Sequence, residues 1–226
     1  MNMNMFEQFA SPEILYVPTS LLSMLMPILF IRPNNMLLGN RTSAIMSWFF
    51  KTILTNMMNQ LSPTGQKWSR FLTGLLVFIL LSNLLGLLPY TFTPTSQLSM
   101  NMALAIPMWL ATIITGLTTK TSSTLAHMLP EGSPTPLIPF MILIETISLF
   151  MRPIALGVRL TANITAGHLL MTMISSAVLN FFNSYNTLSA LMLILLFLLT
   201  LLEMAVACIQ AYVFVLLITL YLQENT

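Results

Sequence analysis

Charge is the scarcest commodity in this chain. Only 6% of its 226 residues are Asp, Glu, Lys or Arg, against about a quarter in an ordinary soluble domain. With 56% hydrophobic residues and a mean hydropathy of +0.85, a water-soluble globular domain is excluded and an integral membrane protein is expected. The net charge of +2 is too small for a nucleic-acid surface, so no nucleic acid is expected as partner. Cysteine occurs once, at Cys208, which excludes an intrachain disulfide framework and leaves a buried thiol in an apolar helix as the expectation. Nothing in the pattern points to a metal or a cofactor. A Gly-rich phosphate loop ending in Lys-Ser or Lys-Thr is also missing, so nucleotide chemistry is expected in partner chains and no enzyme activity in this one alone. No basic residue precedes Arg32. The start is therefore expected to be neither a signal peptide nor an Arg-rich transit peptide, and the chain to be inserted uncleaved.

What is present is a series of apolar runs. Several reach the roughly 20 residues needed to cross a bilayer, and none alternates in the manner of a barrel, which predicts an all-α membrane protein. The whole chain, 1–226, reads as a single membrane domain with about five membrane-crossing helices and one interfacial amphipathic helix. The first crossing is expected at 14–31, interrupted by Pro18 and Pro27. Over 35–61, Asn40, Ser43, Ser47, Lys51, Thr55 and Asn59 recur opposite Ile45, Trp48, Phe49, Ile53 and Met57. That pattern predicts a helix lying along the interface, because a membrane-spanning one would place Arg41 and Lys51 in lipid.

Ser62-Pro63-Thr64-Gly65 predicts a turn, 71–88 a second crossing stopped by Pro89, and 98–117 a third containing Pro107. Arg32, Arg41, Lys51, Lys67 and Arg70 lie between the first two crossings with no acid among them, and Lys120 follows the third. The excess of positive charge places these on the inner side, with Glu7 and Glu13 outside. The polar loop 118–136 holds His127 and Glu131, which read as solvated residues. Residues 137–180 and 188–222, as helices, would run about 66 and 52 Å, too long to stand upright in a core about 30 Å thick. The one polar break, from Asn180 to Asn186, predicts a steeply tilted helical hairpin, near 55° from the normal for its second arm.

That hairpin holds Glu145, Arg152, Arg159, His168, Glu203 and Gln210. A central arginine costs at least about 2.5 kcal/mol on insertion scales, so a functional role is the default. At about 100° per residue, Ser148, Arg152, Ala155, Leu156, Arg159, Ala162, Asn163 and Ala166 fall on one stripe. Small residues beside Arg159 let another helix approach the guanidinium. His168, nine residues on, faces roughly 180° away. Arg152 either snorkels or pairs with Glu145, seven residues earlier. Glu145, Glu203 and His168 can exchange protons, whereas Arg159 cannot at any accessible pH. Glu203 and Gln210 share a face, about 10 Å apart. Unpaired amides in lipid are costly, which gives Gln210 and Asn163 polar roles.

The run LTANITAGHLL after Arg159, the preceding PLIPF and IETISLFMRPIALGVR, the earlier NLLGLLPYTFTPTSQLSMN and the closing EMAVACIQAYVFVLLITLYL resemble the subunit a family of mitochondrial F-type ATP synthases. The resemblance covers nearly the whole chain. It implies two offset half-channels formed against the rotating c-subunit ring, with proton flow coupled to ring rotation and ATP synthesis. Arg159 matches the family's essential arginine, Glu203 and His168 the half-channel open to the intermembrane space, and Glu145 the matrix half-channel. Asn163 and Gln210 match supporting polar positions near the arginine, and Arg152 is a possible further member of the path. The implied partners are the c-ring, other membrane-sector and peripheral-stalk subunits, protons and the bilayer. The implied location is the mitochondrial inner membrane, with the N-terminus in the intermembrane space and the C-terminus in the matrix. Abundant Met, 19 residues, resembles the forms encoded in animal mitochondrial genomes. Two rivals of other classes are a proton-pumping subunit of a redox complex, which should carry Lys and Glu pairs in broken helices, and a structural scaffold. The scaffold leaves the intramembrane polar groups unexplained.

Overall fold

A computed structural model describes residues 9–14, 16–30, 41–60, 65–88, 91–119, 121, 138–182 and 186–225. Among them the chain is mostly helical, with a two-residue antiparallel pairing of β1 (Glu13–Ile14) with β2 (Val17–Pro18) and short non-helical connections. Six α-helices follow: α1 (Thr19–Phe30), α2 (Arg41–Gln60), α3 (Ser69–Gly86), α4 (Leu98–Thr119), α5 (Ile138–Phe182) and α6 (Asn186–Asn225). Single tight turns, Gly65–Trp68 and Pro94–Ser96, lead into α3 and α4. Among the described residues four spans are long and apolar enough to cross a membrane: α3 with its leading turn, α4, α5 and α6. The all-α membrane class follows from the same property that made charge scarce, since a helix satisfies its own backbone where no water can.

The first expected crossing is shorter as a helix than as an apolar run. Pro18 biases Val17 to an extended backbone, and Glu13–Ile14 pairs with Val17–Pro18, with Tyr16 at a φ of 65°. Helix therefore starts only at Thr19, and the 12 residues of α1 span about 18 Å. At the other end of the chain the helices are longer than expected. α5 continues through Phe182 and α6 runs from Asn186 to Asn225, so the asparagines at 180 and 186 lie inside helix. Pro153 sits within α5. Expectations that rested on Glu7, Arg32, residues 35–40, 61–64, Pro89, Lys120, His127 and Glu131 lie outside the described residues.

The chain divides into two compact units. The first gathers Met1–Ile31, Phe78–Asn101 and Arg159–Tyr212, the second Arg32–Val77, Met102–Val158 and Val213–Thr226. In the second, Leu72, Ala105, Leu156, Val215 and Ile218 are buried, and Gly157 lets α4 and α5 touch, since a methyl there would stand 2.6 Å from Met102 Sδ. Trp109 and Phe150 pack ring to ring at 5.8 Å. In the first, Ile79, Leu160, Ile164, Ala207 and Ala211 form the apolar floor. Cys208, expected to be buried, is exposed. The neighbouring positions Ala207, Gln210 and Ala211 take the inward face of α6, and one residue's rotation carries the thiol outward.

Hydroxyls inside the helices are satisfied locally. Ser82 donates to the carbonyl of Ile79 at 2.9 Å and Thr112 to that of Trp109 at 2.7 Å, the arrangement by which Ser and Thr enter apolar helices without an orphaned group. The uncharged loop after α3 is ordered by the same chemistry. Thr91 Oγ1 donates to the carbonyls of Leu85 and Leu88 at 2.8 and 2.7 Å, covering carbonyls that the helix end leaves free. Asn101, 0% exposed, donates from Nδ2 to the Thr95 carbonyl at 2.7 Å and to Thr161 Oγ1 at 3.0 Å. It thereby ties α4, the loop and α5 together within the first unit. Replacing Asn101 by Ala is expected to destabilise the protein by about 1–2 kcal/mol, the range for a buried bonded amide. Thermal unfolding of the membrane-embedded protein measures this, and an unmoved midpoint would refute the tie.

Candidate functional site

Two ionisable groups of the first unit meet inside helix. His168 projects from α5 and Glu203 from α6, with Nε2 and Oε1 3.8 Å apart. Gly167 is what lets them meet, because a methyl group at that position would lie 2.7 Å from Glu203 Oε1 and 3.0 Å from its Cδ. Glu203 is 6% exposed. Neither of its carboxylate oxygens, nor His168 Nε2, has a hydrogen-bond partner among the described residues. A movement of roughly 0.6 Å would bring the pair within hydrogen-bond reach. An acid and an imidazole held this close, with their remaining lone pairs free, can hand a proton from one to the other.

A cavity of about 430 Å³ opens beside them, also within the first unit. His168 forms part of its wall, with hydroxyls from Thr91, Thr172, Ser175 and Thr200 and apolar surface from Phe9 and Leu196. The wall is mostly apolar, and the hydroxyls and imidazole set into it supply the few hydrogen-bond partners that water needs to enter such a setting. On α6, Gln210 is buried on the same side as Glu203, as the seven-residue spacing requires. Asn163 on α5 is half-buried.

Arg159 stands apart from this group. Its side chain is exposed, and so are Ala162 and Ala166 beside it. Ser148 and Ala155, placed on the same stripe, are exposed as well. Leu156 is a correction: it is 3% exposed, because it falls at the edge of the stripe, about 60° from Arg159, and turns into the core. Among the described residues no carboxylate pairs with Arg159. A guanidinium cannot shed its proton to escape an apolar medium, so an exposed one on a membrane helix calls for a partner that approaches closely. The alanines leave room for that approach.

The second unit holds the remaining charges. Arg152 Nη2 lies 4.0 Å from Glu145 Oε1, the pairing expected on one helix, but Nη1 makes a shorter contact, 2.7 Å, with Glu224 Oε2. The guanidinium also sits 5.0 Å from the centre of the Tyr221 ring, a cation–π distance. Glu224 and Tyr221 carried a signal that the sequence reading passed over: an acid three residues after an aromatic, closing the last apolar helix. Their partner lies 72 residues away, and only the fold brings it to them. The possible path role of Arg152 thus has a structural competitor, a clasp on the end of α6.

A model of the ATP synthase A chain family matches residues 14–223. The chain belongs to this family. Subunit a of the ATP synthase F(0) complex from Lycodon semicarinatus is 73% identical over all 226 residues of both proteins. The subunit a of Struthio camelus is 59% identical over the same full length, and that of Alligator mississippiensis is 56% identical over 99% of this chain and 100% of its own. As a member of the ATP synthase A chain family the chain is a multi-pass membrane protein and the proton-translocating subunit of the membrane sector. The close approach at Gly167 gives a direct expectation. Gly167→Ala should push Glu203 aside and slow proton-driven ATP synthesis about tenfold, the equivalent of a modest overpacking strain. Synthesis rates in membrane vesicles, normalised to assembled complex, check this, and an unaltered rate would show that the Glu203 position does not depend on the glycine.

Proposed function

We propose that this chain carries protons through two offset half-channels against a rotating c-subunit ring, with Arg159 as the barrier between them. Glu203 and His168 serve the half-channel open to the intermembrane space, and Glu145 the matrix half-channel. Asn163 and Gln210 support the path as polar side chains near the arginine. The chain is non-catalytic by itself, and ATP is made by partner subunits of the complex. It lies in the mitochondrial inner membrane with its N-terminus in the intermembrane space and its C-terminus in the matrix. Its last two helices form a steeply tilted hairpin against the ring, and the peripheral stalk and other membrane-sector subunits are its further partners.

The observation that carries this reading is the exposed guanidinium of Arg159 beside Ala162 and Ala166, with no ion-pair partner among the described residues. A proton arriving by way of Glu203 and His168 neutralises a ring carboxylate, which can then enter lipid without carrying a charge into hydrocarbon. After nearly a full turn the site releases its proton toward Glu145, and the carboxylate so formed is attracted to Arg159. A permanent cation at that place repels a proton that would cross directly, so the current moves with the ring. Each charge crossing yields about 2.3 kcal/mol per 100 mV, so several are needed for one synthesis step.

Arg159→Ala should abolish proton-driven ATP synthesis while the complex still assembles. Normal synthesis in membranes carrying the change would rule the barrier out. Glu203→Gln should slow proton uptake from outside, and the dependence of rate on external pH is the measurement. An unchanged dependence would remove Glu203 from the path.

A further inference from the structure

The second unit carries positive charge that its own acids do not meet. No Asp or Glu occurs from 32 to 77, and among the described residues the acids of this unit, Glu145 and Glu224, both lie against Arg152. Arg41, Lys51, Lys67 and Arg70 are all exposed, and no carboxylate pairs with any of them among the described residues. The bias of membrane insertion accounts for a positive excess on one side. It does not account for Arg41 and Arg70 in the first turns of α2 and α3, where the helix dipole disfavours a cation. Phe50, Ile53, Leu54 and Met58 are half-buried and share one side of α2. Away from that side the helix has a border between apolar and polar faces. At about 100° per residue, Ile45 and Phe49 lie about 40° and 80° to one side of Arg41, Lys51 about 80° to the other, and Trp48 about 20° from it. Trp48 is 68% exposed and Ile45 65%.

We propose that this border of α2, with Lys67 and Arg70 at the start of α3, is a docking surface for anionic phospholipid; the proposal does not rest on the proton path. A phospholipid carries its phosphate directly above its acyl chains. The helix presents its side chains in the same order, Lys51 and Arg41, then Trp48, then Ile45 and Phe49. An indole sits at the headgroup level of a bilayer, with its ring covered and its N–H wet. Trp68, half-buried and edge-on to Phe71 at 6.3 Å, repeats the pattern between Lys67 and Arg70. A soluble acidic partner would meet the bases but leave Ile45 and Phe49 without apolar cover. Zwitterionic lipid would cover the apolar side chains but bring no net charge to the bases. Anionic phospholipid answers both, and each Lys or Arg at such a surface favours it about fivefold.

The test uses vesicles containing the whole ATP synthase and two photoactivatable probes, phosphatidylglycerol and phosphatidylcholine, with labelled peptides mapped by mass spectrometry. Labelling of residues 41–60 and 65–70 by phosphatidylglycerol should exceed that by phosphatidylcholine about tenfold or more. Arg41→Gln should lower this ratio about fivefold, the share of one charge, and neutralising Lys51, Lys67 and Arg70 as well should bring it to about one. Raising the salt concentration on the parent complex should lower the ratio too, because exposed charges are screened, and this arm needs no variant to assemble. Equal labelling by the two lipids overturns the proposal, as does a ratio that neither salt nor substitution moves. Labelling by neither lipid shows that a partner subunit covers this face, and overturns it as well.

Discussion

Inside a bilayer there is no water to repair an unmatched polar group, and that single constraint organises this molecule. Backbone groups are satisfied within helices, and hydroxyls bond back one turn, as Ser82 and Thr112 do. Asn101 donates twice from its amide nitrogen, to a loop carbonyl and to Thr161. Among the described residues the orphaned atoms lie in the first unit: His168 Nε2, both Glu203 oxygens, the side-chain oxygens of Asn83 and Asn101, and the hydroxyls of Thr19 and Thr95. Groups that costly are retained where they carry something. Of them, His168 lies in the wall of a cavity that also carries hydroxyls, with Glu203 3.8 Å from it.

The arrangement also separates two kinds of charge by the chemistry of each. Glutamate and histidine, which can change protonation, face one another at Gly167. Arginine, which cannot, is placed in two different settings. Arg152 is tied to two acids and an aromatic ring, a neutralised cluster suited to fixing the end of a helix. Arg159 has no such neutraliser among the described residues and is bordered by alanines. The same side chain thus serves as a fastening in one unit and as an open positive charge in the other, and the difference lies in its surroundings.

Much of the fold was legible beforehand because membrane insertion is governed by local, one-dimensional quantities. The apolar runs at 71–88 and 98–117 became α3 and α4 with ends displaced by only a few residues. The amphipathic stretch at 35–61 became α2 over 41–60. The errors came where a tertiary or conformational term entered. Pro18 was read as a tolerated break within a crossing, but it delayed the helix by holding Val17 extended. Cys208 was read as buried because its neighbours are apolar, whereas the smaller alanines at 207 and 211 occupy the inner face.

Sequence alone therefore determined the membrane class, the approximate helices, the family resemblance and the presence of Arg159 as a charge within an apolar helix, since each follows from composition, periodicity or matched runs of residues. Only the tertiary structure decided who meets whom. It placed His168 against Glu203, joined Arg152 to Glu224 across 72 residues, and brought Asn83 to Ala207 across 124. Such meetings depend on how helix faces pack in three dimensions, and a helical repeat fixes a face without naming what lies opposite it.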